Sequence, residues 1–140
     1  MRIALASDHA GFALKDELAA WLRDSGHVVI DLGTNSAESV DYPEFGARLA
    51  SAVASGEAER GIAVCGSGIG ISIAVNRNPD CRCARLAREH NDANVLALGG
   101  RLVGADMARA CVAEFLGTDF AGGRHQRRVD QLSQLLQESD

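Results

Sequence analysis

The chain has 140 residues, 46% hydrophobic and 24% charged, which describes one domain of ordinary size able to bury a core unaided. A formal net charge of −5 argues against non-specific nucleic-acid binding, although arginines cluster near the C-terminus. The cysteines at 65, 81, 83 and 111 form no C-x-x-C pair and no zinc spacing; the N-terminus lacks a signal-peptide run, and no stretch approaches the roughly 18 apolar residues of a membrane span, so a reduced, cytoplasmic protein without a membrane partner is expected.

Taken in order, strand and helix signals alternate. Arg2–Ala6 reads as a strand that runs into Ser7-Asp8-His9-Ala10-Gly11. A helix follows with Phe12, Leu14, Leu18, Trp21 and Leu22 at helical spacing, and Ser25-Gly26 stops it. His27–Asp31 is a second strand, and the polar loop from Leu32 to Asp41 is long enough to be functional. Pro43 suits the first turn of a second helix carrying Phe45, Leu49 and Val53, closed by Ser55-Gly56. Ile62-Ala63-Val64, ended by Cys65, is a strand buried on both faces, and a third helix follows it. Cys81-Arg82-Cys83 is a stub of strand, short for a sheet interior, and it runs into a helix over Ala84–Asn91 without turn chemistry. Val95–Leu98 is a fifth strand closed by Gly99-Gly100. Helices over Ala105–Leu116, with Met107, Cys111, Val112 and Phe115 inward, and from about His125 complete the chain. The expected architecture is a three-layer α/β sandwich, a five-stranded parallel sheet with right-handed crossovers and helices on both faces.

In such sheets ligands bind outside the carboxyl ends of the strands. Asp8-His9, Cys65–Gly70 and Gly99-Gly100-Arg101 all fall there. Of these, Cys65-Gly66-Ser67-Gly68-Ile69-Gly70 carries the most chemistry. A strand, a glycine turn and a helix in that order aim backbone N–H groups at one point, where the helix dipole is equivalent to roughly half a positive charge. Cysteines at helix N-termini titrate below their usual value of about 8.5 and become reactive. Three rival motifs fail on position 71. It is Ile where a Walker A loop has Lys-Ser or Lys-Thr to follow, where a dinucleotide fingerprint has glycine, and where a cysteine-phosphatase loop has arginine. A tight turn with an inert cysteine is the plain alternative for this stretch alone.

The chain resembles the type B ribose-5-phosphate isomerases, in the family that also holds galactose-6-phosphate isomerase subunits and allose-6-phosphate isomerases. The resemblance runs over nearly the whole chain. It is carried by S-D-H-A-G-F at Ser7–Phe12, D-Y-P at Asp41–Pro43, C-G-S-G-I-G-I-S-I-A-V-N at Cys65–Asn76, R-E-H-N-D-A-N-V-L-A-L-G-G-R at Arg88–Arg101 and G-G-R-H-Q-R-R-V at Gly122–Val129. It implies a Rossmann-like sheet, a homodimer or dimer of dimers with a shared active site, a C-terminal helix packed on the partner subunit, and neither metal nor cofactor. It also implies aldose–ketose isomerisation of a sugar phosphate in pentose phosphate metabolism.

Site roles follow from the same resemblance. Cys65 matches the base that moves a proton between C1 and C2, and His90 the histidine that opens the sugar ring. Ser67 and the N–H groups of Gly66, Gly68, Ile69 and Gly70 match the groups around the developing oxyanion. Asp8 and Asn91 match residues that hold hydroxyls, and Tyr42 a tyrosine near the sugar. His9, Arg101, Arg124 and Arg128 match groups around the phosphate. The spacing of Arg124 and Arg128 puts both guanidinium groups on one helix face, ready to fork a phosphate. Taken singly, each residue has a plainer reading: His9 and His90 as surface histidines, the arginines as a solvated face, Asp8 as a turn cap. A non-catalytic sugar-phosphate sensor and a nucleotide-binding module are the other function classes considered. Between Asn78-Pro79 and Arg88 the chain is shorter than the family. Either residues are deleted, or a loop is absent from the sequence and a Cα separation beyond 3.8 Å opens between Arg82 and Arg85.

Overall fold

The computed structural model describes residues 1–78 and 86–137. Successive strand side chains point to opposite faces, and the chain exploits this by size. On β1, Arg2–Ser7, the larger Ile3 and Leu5 point one way and Ala4 and Ala6 the other. On β3, Arg60–Cys65, Ile62 and Val64 alternate with Ala63 and Cys65 in the same sense. The large face packs against α1, Phe12–Asp24, through Leu14, Leu18 and Leu22, and against α5, Ala105–Gly117, through Ala108, Val112 and Phe115. The small face receives α2, Tyr42–Ala54, and α3, Ile69–Asn76, through Phe45, Leu49, Val53, Ile71 and Val75. Alanines on the sheet let this second pair approach closely. Gly46 extends that closeness between the helices, since a Cβ there would lie 2.7 Å from Cβ of Ala74.

With β2, Val28–Asp31, and β4, Val95–Gly99, the described residues form one all-parallel sheet in the order β2-β1-β3-β4. Four strands stand where five were expected, and the one expected at 81–83 lies outside the described residues, as does the expected break between 82 and 85. Since β3 hydrogen-bonds directly to β4, no strand lies in the interior between them. The chain leaves β1 toward β2 on one side and reaches β3 on the other. The sheet's switch of direction therefore falls between β1 and β3, where open α/β sheets bind ligands. Short α4, Leu86–Glu89, and terminal α6, Arg124–Gln137, complete the fold. No described helix is long and apolar enough to cross a membrane.

Met107 was expected inward and is 59% exposed. The buried stripe of α5 is Ala108, Val112 and Phe115, one step round the helix, with Cys111 at its margin.

Candidate active site

Three turns meet at the switch point. β1 is followed by Asp8, whose Oδ1 accepts the N–H groups of Ala10 at 3.0 Å and Gly11 at 3.1 Å, so the carboxylate both closes the turn into α1 and stands at the carboxyl end of the sheet. β3 ends in Cys65, 4% exposed, whose Sγ accepts the Gly68 N–H at 3.1 Å. β4 ends in Gly99-Gly100-Arg101, which clasps the cysteine turn. Gly100 N–H donates to the Cys65 carbonyl at 2.7 Å and Arg101 N–H to the Gly66 carbonyl at 3.0 Å.

Glycine is required at Gly68, with φ +82° and a would-be Cβ only 2.9 Å from the Leu98 carbonyl carbon. Gly68→Ala is expected to cost about 1–3 kcal/mol through left-handed strain and displaced backbone. A lowered thermal midpoint checks this. Gly70 is needed for contact, since a Cβ there would lie 2.7 Å from the Tyr42 ring.

The three turns enclose a cleft of about 370 Å³ lined by Asp8, Tyr42, Cys65, Gly66, Ser67, Gly70, Arg101 and Leu102. Of the expected oxyanion donors, Gly68 N–H is engaged by Cys65 Sγ and Ile69 N–H by Ser67 Oγ at 3.2 Å. Gly70 lies in the first turn of α3, where N–H groups lack intrahelical acceptors, and it lines the cleft, so its N–H is the helix-end donor that faces a ligand. The Ser67 hydroxyl, accepting from Ile69, still has its own proton to donate. His9 stands beside this cleft with Nδ1 accepting the Val40 N–H at 3.1 Å. The resemblance did not point to Leu102, which is 75% exposed at the cleft.

A second cluster gathers elsewhere on the chain. His90 stacks on His125 with ring centroids 4.2 Å apart and planes 10° from parallel. His125 opens α6 between Arg124 and Arg128, so His90, Arg124 and Arg128 are brought together, apart from the residues that line the cleft. Asn91 follows His90 in the turn after α4 and likewise does not line the cleft. Buried Arg88 holds this turn, donating to the Thr118 carbonyl at 3.2 Å, to Asp92 Oδ1 at 2.7 Å and to the Ala93 carbonyl at 2.8 Å. Neither His125 nor Arg88 was singled out from the sequence. Their contacts cross from one segment to another and leave no local pattern.

His125 holds its proton less tightly than an ordinary histidine, near 6.5. Partial withdrawal from water disfavours its cation, and His90, Arg124 and Arg128 add like-charge repulsion. A histidine with a lowered folded value favours the neutral ring, so this contact is intact above 6.5 and is lost as pH falls below it through the lowered folded value. In an NMR titration the His125 midpoint should lie below 6.5, and His90→Asn should move it upward. A midpoint indifferent to His90 would contradict the coupling.

Comparison with known proteins defines the class. The model of the Ribose/Galactose Isomerase family matches residues 3–132, and the chain belongs to that family. The Escherichia coli protein named ribose-5-phosphate isomerase B is 46% identical over 144 residues, covering 97% of each chain. That alignment is longer than the 140 residues here, so the relative carries residues without counterparts in this chain. The structure of Clostridium thermocellum ribose-5-phosphate isomerase B superposes with a TM-score of 0.98 at 49% identity over 100% of both chains. That of the Mycoplasma genitalium enzyme, with bound ribulose-5-phosphate, gives 0.92 at 36% identity over 98% of this chain and 97% of the other.

Proposed function

We propose that this chain is an aldose–ketose isomerase interconverting ribose-5-phosphate and ribulose-5-phosphate, with Cys65 as the base. The observation that carries the reading is the position of Cys65 Sγ. It ends a strand at the switch point, accepts an N–H at a helix mouth, and shares a cleft with Asp8, Tyr42, Ser67 and Arg101. In the open-chain aldose, the thiolate takes the proton from C2. The C2–H electrons form the C1–C2 double bond and O1 becomes an oxyanion. The Gly70 N–H and the Ser67 hydroxyl are the donors for that charge, held in place before it develops. Return of the proton to C1, with transfer of the O2 proton to O1, gives the ketose. Atoms and charge balance without an external reductant or oxidant. In this reading Asp8 accepts a hydrogen bond from a sugar hydroxyl, and Arg101 meets an anionic end of the substrate.

The ring-opening role falls to His90, and a phosphate clamp to Arg124 and Arg128, with His9. Of these, His90, Arg124 and Arg128 belong to the second cluster, so we place them in the site of a partner subunit in a homodimer, while His9 stands beside the cleft of its own chain. Exposed apolar side chains support such a partner: Ile69 and Ile73 one turn apart on α3, Leu102 beside the cleft, and Leu132 and Leu135 on α6. Val129, on the same C-terminal helix, is buried within its own protomer. The reaction suits the reduced cytoplasm, within pentose phosphate metabolism.

A turnover comparison of ribose-5-phosphate, allose-6-phosphate and galactose-6-phosphate tests the substrate. The five-carbon sugar is expected to give the largest kcat/KM. A larger value for either six-carbon sugar would reassign the substrate, and binding without turnover would make the chain a sensor.

A further inference from the structure

Among the described residues Lys15 is the charged side chain buried completely, 0% exposed as the fourth residue of α1. Lysines are almost never buried unless paired, and this one uses every proton it has. Nζ donates to Asp31 Oδ1 and Oδ2, each at 2.8 Å, and to Asp16 Oδ1 at 3.1 Å, with the Phe12 ring centroid 5.7 Å away.

The consequence lies beyond the pair. Asp31 Oδ1 also accepts the Gly33 N–H at 2.9 Å, so the lysine fixes the carboxylate that fixes the start of the 32–41 loop. The Gly33 carbonyl accepts the Ser7 N–H at 2.7 Å, and Thr34 N–H donates back to the Ser7 carbonyl at 2.8 Å. Ser7 is the residue before Asp8. At its far end the loop returns to His9 through the Val40 N–H, and then enters α2 at Tyr42. Asp8, His9 and Tyr42 are thus all set by a loop whose base is clamped to Lys15.

We propose that Lys15 is a positioning residue for substrate binding, acting through Asp31 and the 32–41 loop on Asp8, His9 and Tyr42. The inference rests on the sugar-phosphate site described above. Lys15 touches no substrate, and the effect is transmitted through the backbone of Gly33 and Ser7. A purely structural lysine would govern how much protein is folded, which scales kcat. A positioning lysine governs how well each folded molecule binds, which moves KM.

The full-length protein carrying Lys15→Met, which keeps length and removes charge, is expected to raise KM for ribose-5-phosphate about tenfold while kcat per folded molecule stays within about threefold. Asp31→Asn reaches the same contact from a partly exposed side chain, keeps an oxygen for Gly33 N–H, and is expected to give a smaller rise in KM. It decides the matter should Lys15→Met fail to fold. Ribose-5-phosphate affinity is also read for each protein from the ligand-dependent rise in thermal midpoint. Lowered affinity in the folded variants supports the proposal. Unchanged KM and affinity, with only the unliganded midpoint lowered, overturns it. A parent protein that neither binds nor turns over ribose-5-phosphate overturns the site reading on which it depends, a result distinct from the other two.

Discussion

Replacing Cys65 with alanine is expected to slow isomerisation by about 10²–10⁴, the usual loss when a positioned base is removed. The backbone should hold the site together without the sulfur. The Cys65 carbonyl keeps the Gly100 N–H, and the Gly66 carbonyl keeps that of Arg101. Gly68 N–H is the group left without its acceptor, at a position open to water or ligand once the thiol is gone. Sugar-phosphate affinity should therefore stay close to that of the parent, so the fall appears in kcat. Exchange of the substrate C2 proton with solvent should disappear together with turnover, because both need the same base. An alanine variant that exchanges that proton at the parental rate would show that the base is another group.

Loss of Arg128, or of Arg124, is expected to raise KM by about tenfold to a hundredfold with little change in kcat. A charge-assisted contact to a phosphate remote from the reacting carbons is about equally strong in ground and transition states. The proposed shared site makes a sharper expectation. Cys65→Ala and Arg128→Ala proteins, each nearly inactive at low substrate, should recover activity when their subunits are unfolded together and reassembled. In random reassembly half of the dimers are mixed, and each mixed dimer holds one site built wholly from intact residues, so about a quarter of parental activity returns. A fully active monomer, or mixing without recovery, would place the cleft and the arginines in separate functions.

What the sequence made legible was whatever is written in local order. The alternation at Ile62-Ala63-Val64-Cys65, the glycines at 66, 68 and 70, and Asp8 after the first strand each follow from the steric and hydrogen-bonding needs of a strand that ends in a turn. Their convergence at one sheet edge then follows from parallel topology alone. Contacts between distant segments were not legible. Lys15 stands in Leu14-Lys15-Asp16-Glu17, which reads as solvated, and only the arrival of Asp31 on the neighbouring strand makes burial tolerable. Met107 was misplaced because a helix turns 100° per residue, and two adjacent apolar residues compete for one buried direction. The separation of His90 from the cleft had no sequence signal. Arg88 and the 118–121 segment set it, Ala121 N–H donating to the Glu89 carbonyl at 2.9 Å.

The most direct test is to follow ribose-5-phosphate with the purified protein in D2O by proton NMR. Ribulose-5-phosphate should accumulate to equilibrium, with deuterium entering C2 of the returning aldose and C1 of the ketose, and neither should occur with Cys65→Ala. Tight binding of ribose-5-phosphate with its C2 proton retained and no ketose formed would contradict isomerisation and leave a protein that only binds sugar phosphates.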